Sequence, residues 1–166
     1  MSTIQLKNEI TPDDLHALER WMSDAAVTRY LNEHSRISAH LRAVREARLP
    51  VLTPLFNQDG QFRMICADDV PVSFLRAAYR PDNAARLVVA IGEARMWGQG
   101  IGRRGVQAAL ARVFFEMRRE KVVVHIARGN IRSERLFAGC GFSYIREAGS
   151  SAQYHLTLGE YIARIS

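Results

Sequence analysis

At 166 residues, with 48% hydrophobic and 24% charged side chains, the chain has the make-up of one globular domain able to bury a core unaided. No apolar run approaches the ~20 residues of a membrane span. The N-terminal MSTIQLKNEITPDD lacks a basic-then-apolar signal layout. Cys66 and Cys140 supply neither a disulfide framework nor a metal cluster, so the expectation is a cytoplasmic protein with two buried free thiols and no metal. The net charge of +6 is uneven: residues 1–80 carry 10 Lys+Arg against 10 Asp+Glu, residues 81–166 carry 13 against 7, and arginine supplies 21 of the 23 cations. Such a surplus fits a local site for a phosphorylated cofactor or nucleic acid, and compositional bias produces it as well.

In chain order, Ile4 to Leu6 can open a strand. Thr11-Pro12-Asp13-Asp14 predicts a helix start, with a hydroxyl cap, an early proline and acids at the positive end of the dipole. Leu15, Leu18, Trp21 and Met22 follow at helical spacing. Further helical pieces are expected over 25–31 and 38–47, with Pro50 and Pro54 breaking the pattern. Residues 61–67 and 72–79 predict strands joined by Asp68-Asp69-Val70-Pro71, and RLVVAIG over 86–92 predicts a third. Ile101, Val106, Ala109, Leu110, Val113 and Met117 mark an amphipathic helix whose polar face carries Arg103, Arg104, Gln107, Arg112 and Arg119. VVVHIA over 122–127 predicts a buried strand, Asn130 a helix cap, and 142–146 and 153–158 the closing strands. The order is an α/β fold with a mixed sheet.

Between the third strand and the helix lies MWGQGIGRRG, Met96 to Gly105. Gly100-Ile101-Gly102-Arg103-Arg104-Gly105 satisfies the dinucleotide pattern G-x-G-x-x-G, but its context does not. The strand ends before Glu93–Trp97, no acid follows the next strand, and about 40 residues are too few for a second βαβ half. What survives is physical. Glycines before a helix leave backbone N–H groups uncovered, and the orphan donors of the first turn with the dipole behind them favour an anion. A tight strand-to-helix turn would need the same glycines.

Two spaced motifs carry a family resemblance. Ile91-Gly92-Glu93-Ala94-Arg95-Met96-Trp97-Gly98-Gln99-Gly100 is followed by a helix, a strand, and then Asn130-Ile-Arg-Ser133-Glu-Arg-Leu136-Phe137-Ala-Gly-Cys-Gly141-Phe142. Together they resemble the GNAT superfamily of acyl-CoA-dependent N-acetyltransferases, most closely the branch acetylating ribosomal-protein N-termini with its aminoglycoside and polyamine relatives. Trp21-Met-Ser-Asp24…Val27-Thr-Arg-Tyr30-Leu31 is similar to that branch too. The resemblance implies an α/β GNAT fold over 1–166, with about six to seven strands, helices on both faces and one splayed strand pair. It implies acetyl-CoA as co-substrate: pantetheine along Val89, Ala90, Ile91 and Gly92, and pyrophosphate on the N–H groups around Trp97, Gly98, Gln99, Gly100, Ile101, Gly102 and Arg103. Arg104 is within reach of phosphate, and Asn130, Ser133 and Phe137 lie near the pantetheine end. Many relatives are dimers, so a homodimer is expected on the same ground.

Acetyl transfer needs a base for the ammonium proton and an acid or a tolerant environment for the leaving thiolate. Many relatives carry a tyrosine acid seven residues after the motif asparagine; here that position is Phe137, which cannot donate. Ser133, three residues after Asn130, matches the serine some relatives use, and is equally an ordinary first-turn serine. Tyr144 and Tyr154 are substitutes without a matching position. The base position of some relatives, five residues before the asparagine, holds His125, whose ordinary pKa of about 6.5 suits the task. A histidine in an apolar strand can equally be a plain sheet residue. His155 and Glu93 are further candidates, and proximity alone lowers much of the barrier for an already neutral amine.

The expected activity is acetyl transfer to a primary amine, on a protein N-terminus or a small molecule, with Asp24 and Glu33 available to attract a cationic acceptor. Phe137 motivates the alternative of an acyl-CoA-binding module without turnover. The basic C-terminal half motivates a nucleic-acid partner, for which no RNP, zinc-finger or helix-turn-helix motif is present.

Overall fold

The computed structural model describes residues 2–31, 34–50, 52–92 and 97–166. After β1 (Ile4–Lys7), α1 (Pro12–Met22) starts as its sequence demands: Thr11 Oγ1 accepts from the Asp14 N–H while the Asp14 carboxylate accepts from the Thr11 N–H at 2.8 Å. Lys7 Nζ donates to the same carboxylate at 2.7 Å, so Asp14 is only 1% exposed without being an unpaired charge. Next come α2 (Ala25–Thr28), α3 (His34–Ala47) and α4 (Thr53–Phe56). Pro54, expected as a breaker, sits in the first turn of α4, where its missing N–H costs no helical bond.

β2 (Gly60–Ala67), β3 (Val70–Arg80) and β4 (Ala84–Ile91) form an antiparallel meander. The first turn is shorter than expected. Asp68 and Asp69 take φ of 49° and 67°, which suits a two-residue hairpin, and Val70 and Pro71 already pair with β2. Pro71 stands at the register shift beside Cys66, where a missing donor is tolerated. α5 (Ile101–Ala111) runs into a single π turn over Arg112–Glu116. Then follow β5 (Lys121–Ala127), α6 (Ile131–Gly139), β6 (Ser143–Ala148), β7 (Ser151–Thr157) and α7 (Leu158–Ile165). The sequence reading ends in a strand and has no α7. Thr157 and Glu160 form a capping box, with the Thr157 N–H donating to the Glu160 carboxylate at 2.9 Å, and so start that helix.

The seven strands lie in the order β1-β2-β3-β4-β5-β7-β6, antiparallel except for β4 beside β5. Strand alternation feeds two cores. Ile65, Leu75, Leu87 and Val124 face α5, α6 and α7 on one side; Phe62, Met64, Phe74 and Ala90 face α1, α3 and α4 on the other. Helices therefore cover both faces of an open mixed sheet.

The β4–β5 pairing decides the rest. It is confined to Ala84–Lys121, Ala85–Val122 and Arg86–Val123, although both strands run on for several residues. Past Arg86 the two splay apart.

Candidate active site

The splay opens a cleft. Next to Val88 and His125 lies a cavity of about 60 Å³, and beside it, towards Trp97, one of about 110 Å³. They share Tyr30, Leu31, Val89, Asn130, Ser133 and Phe137 as walls. Residues as far apart in the chain as Tyr30 and Phe137, from the end of α2, β4, β5 and the start of α6, thus meet in one place because two strands part.

Val89 is half-buried on the cleft wall, while the Ala90 side chain turns into the second core and its carbonyl accepts from Ser73 Oγ at 2.5 Å. Gly92 is glycine for a reason the sequence did not show: a Cβ there would lie 2.0 Å from the ring of Trp21. The strand end is thereby pinned to α1. Glu93 to Met96, and with them the Glu93 expectation, fall outside the described residues, as does Glu33.

Past that point Gly98 and Gly100 have φ of 78° and 75°, a left-handed backbone that favours glycine, and nothing lies within 4 Å of where their Cβ atoms would be. Gly100 caps α5 with no side-chain hydrogen bond. Gln99 is exposed, and Ile101 and Gly102 are buried, offering only backbone to a ligand. Among the described residues, no side chain caps the first N–H groups of this helix. Arg103 is exposed on that turn, with Nη1 approaching Gly139 at the end of α6. Arg104 leaves the turn: its Nη1 donates to the Ser2 carbonyl at 2.6 Å, tying α5 to the strand β1 side. Gly105, the last letter of the dinucleotide pattern, is a helix residue where α5 crowds Ile65. The Trp97 ring lies under the Arg132 guanidinium, 3.7 Å away, at the mouth of the larger cavity.

Asn130 caps α6 by accepting from the Ser133 N–H at 3.3 Å, and both side chains border the cleft. Phe137, 5% exposed, packs edge-on against Phe142 and forms the floor. His125 is half-buried and faces the cleft, with Gln153, its register partner on β7, hydrogen-bonded to the imidazole. Burial above all, then the guanidiniums of Arg86 and Arg80, hold its pKa below the ordinary value; the Gln153 bond opposes this and Arg146 adds to it. The imidazole is therefore neutral near pH 7.

Tyr144 and Tyr154 do not line the cleft. They pair on the opposite face of β6 and β7, with ring centroids 5.7 Å apart. His155 shares the face of His125, one pair further along β7. Asp24 caps α2, its Oδ1 accepting from the Ala26 N–H. The residue missed as a site candidate is Tyr30. Its hydroxyl lies 3.8 Å from where a Gly129 Cβ would stand, and its ring borders both cavities. Only the docking of α2 over the splayed strands reveals this.

Residues 8–143 match the acetyltransferase (GNAT) domain family. The chain belongs to that family. No curated protein sequence matches it significantly. Among solved structures, the aminoglycoside acetyltransferase AAC(6')-Ib in complex with coenzyme A and kanamycin superposes with a TM-score of 0.76 at 14% identity, over 100% of both chains. Spermidine N-acetyltransferase from Vibrio cholerae, in complex with CoA and spermine, gives 0.73 at 12% identity over 96% of this chain and 98% of its own. A domain from Methanocaldococcus jannaschii gives 0.73 at 21% identity over 95% and 100%. At these identities the structural likeness speaks for the GNAT fold; the family match makes the chain an acetyltransferase domain. Among the described residues, no cluster of His, Cys, Asp and Glu could hold a metal, and no helix is long and apolar enough to cross a membrane.

Proposed function

We propose that this GNAT domain transfers an acetyl group from acetyl-CoA to a primary amine in the cleft between β4 and β5. The observation that carries the reading is the conjunction of the splayed strands with the open helix start at Gly100. The backbone of Leu87–Ile91 has no ladder partner on its β5 side and suits an extended pantetheine arm. The first-turn N–H groups of α5 suit a pyrophosphate, and nothing lies within 4 Å of where a Cβ would stand at Gly98 and Gly100. Arg103 adds charge at that mouth, and Trp97 with Arg132 walls the adjoining cavity. Both titanable cysteine thiols, Cys66 and Cys140, are buried, and burial pushes each above its ordinary pKa, which argues for direct attack rather than an acyl-cysteine intermediate.

Acetyl-CoA supplies the thioester whose carbonyl carbon the amine attacks, with cleavage of the C–S bond and release of the thiol. The chain supplies position and protons. His125, kept neutral, accepts the proton lost by the amine nitrogen. Tyr30 and Ser133 are the hydroxyls on the cleft wall able to return a proton to the departing sulfur, in place of the tyrosine absent at Phe137. The acceptor is a small-molecule amine or a protein N-terminus, and the two are separated by assay: thiol release is followed with acetyl-CoA and a panel of amines and peptides, and the product is weighed. Acetylated amine formed one-for-one with free CoA, lost in His125→Ala, supports the reading. Tight acetyl-CoA binding with no product from any amine supports the binding module instead.

A further inference from the structure

A histidine base works only when its ring is held in the right one of two neutral forms. A neutral imidazole carries one N–H and one bare nitrogen, and the bare nitrogen must meet the amine. The group bonded to the other nitrogen makes that choice. His125 and Gln153 are register partners on β5 and β7, so both side chains leave the same face of the sheet, with Cβ atoms about 4.5–5.5 Å apart. Their hydrogen bond favours the protonated ring. The ring N–H is therefore the donor, and Gln153 Oε1, the one acceptor on that side chain, receives it.

An amide can also turn over and offer its NH2 to the ring, which selects the wrong form. Arg146 opposes this. Its Nε donates to the same Oε1 at 3.1 Å, and a turned amide would set NH2 against a guanidinium that has no acceptor. The two lone pairs of Oε1 serve the two donors. A break in the β6 ladder brings Arg146 to this face. Tyr144 stands opposite Tyr154 and Arg146 opposite Gln153, so two steps along β6 answer one along β7, and Ile145 is the extra residue of a bulge. In an unbroken ladder Ile145 would stand opposite Gln153, and Arg146 would point to the other face with Tyr144. Bulges beside active sites re-aim side chains in this way. A row thus runs from the sheet edge to the cleft: Arg146, Gln153, His125. Near its inner end are Arg86 of β4 and Arg80 of β3, whose charges act on the ring, His155 one pair along β7, and Tyr30 and Ser133 on the cleft wall.

We propose that Gln153 and Arg146 are positioning residues for acetyl transfer: Gln153 Oε1 holds the ring N–H of His125, which leaves the bare nitrogen for the amine, and Arg146 holds that oxygen in place. This rests on the reading of His125 as the base. The amine proton passes to the bare nitrogen, and the imidazolium so formed keeps its first N–H on Oε1.

The test is nitrogen NMR of histidine-labelled protein at about pH 8, where an ordinary imidazole is neutral, with the His125 signals assigned from their loss in His125→Gln. The parent ring shows a single tautomer. Gln153→Ala mixes the two tautomers and lowers kcat about tenfold or more, the scale on which partners that orient a metal-bound imidazole act, while the KM for acetyl-CoA stays unchanged. Arg146→Ala has the same effects in smaller measure, Arg146→Lys recovers part of them, and Arg146→Ala adds nothing once Gln153 is alanine. Gln153→Glu keeps the single tautomer and moves the acid limb of kcat/KM to higher pH, because a carboxylate favours the charged ring. A mixed ring in the parent, a single tautomer in Gln153→Ala, or mixing there with unchanged kcat overturns the proposal. Full kcat in His125→Ala refutes the base reading itself; loss of kcat there with none in Gln153→Ala refutes only the positioning role.

Discussion

Replacing Gly92 by alanine tests how the edge of β4 is held. The added Cβ would come within 2.0, 2.2 and 2.4 Å of three Trp21 ring atoms, far inside van der Waals contact. Trp21 has little room to retreat: it is 1% exposed and stacks on Phe74, centroids 6.5 Å apart. Overpacking of this kind costs about 1–3 kcal/mol, and the tightness of the contact places Gly92→Ala at the upper end. For a domain of this size each kcal/mol lowers Tm by about 2–4 °C, so a fall of roughly 6–12 °C is expected in a reversible thermal melt. Trp21→Leu destabilises alone by leaving a cavity, yet removes the clash. The double variant is then less destabilised than the sum of the singles by about 1 kcal/mol or more, because contacting residues are not additive. Gly92→Ala also raises the KM for acetyl-CoA, since the strand end must shift. A melt within 1 °C of the parent, or strict additivity in the cycle, would refute the packing account of this glycine.

Other consequences follow from the same geometry. In Tyr30→Phe and Ser133→Ala the true proton donor reveals itself as a fall in kcat of about 10²-fold, the usual scale of acid–base catalysis, with the KM for acetyl-CoA little changed; Phe137→Tyr restores part of the loss. His125 has a native pKa below its unfolded value of about 6.5, so the unfolded chain binds more protons at mildly acidic pH. Its contribution to stability is whole above about pH 6.5 and is lost as pH falls through the lower native pKa, a loss that His125→Gln removes from a denaturation series over pH. The acid limb of kcat/KM lies below 6.5 for the same reason, and Arg80→Gln moves it upward. Asp14→Ala strands the Thr11 N–H and Lys7 at the start of α1, and costs about 2–3 kcal/mol in urea unfolding, Lys7 being partly solvated.

Where local chemistry dictates structure, the chain is transparent. Thr11 with Asp14 and Asn130 with Ser133 are cap signatures that the fold realises atom for atom. The splayed strand pair was implied by the family resemblance that two spaced motifs carry, and the parting of β4 and β5 past Arg86 agrees with it. Tertiary facts were hidden. Tyr30 enters the cleft only through the packing of α2; Arg104, indistinguishable from Arg103 in the sequence, is committed to Ser2 by the position of β1. Gly92, expected at the end of the strand that pairs with pantetheine, also packs against Trp21, 71 positions away in the chain. Arg80, Arg86 and Arg146, whose charges lower the His125 pKa, are scattered over β3, β4 and β6, so a split of charge by chain half could not show their common effect.

The most direct test of the central claim is amide hydrogen exchange with and without acetyl-CoA. The account predicts slowed exchange at Val89–Gly92 and at Gly98–Arg103, with β6 and α7 unaffected. Saturating acetyl-CoA binding that protects neither segment would contradict it.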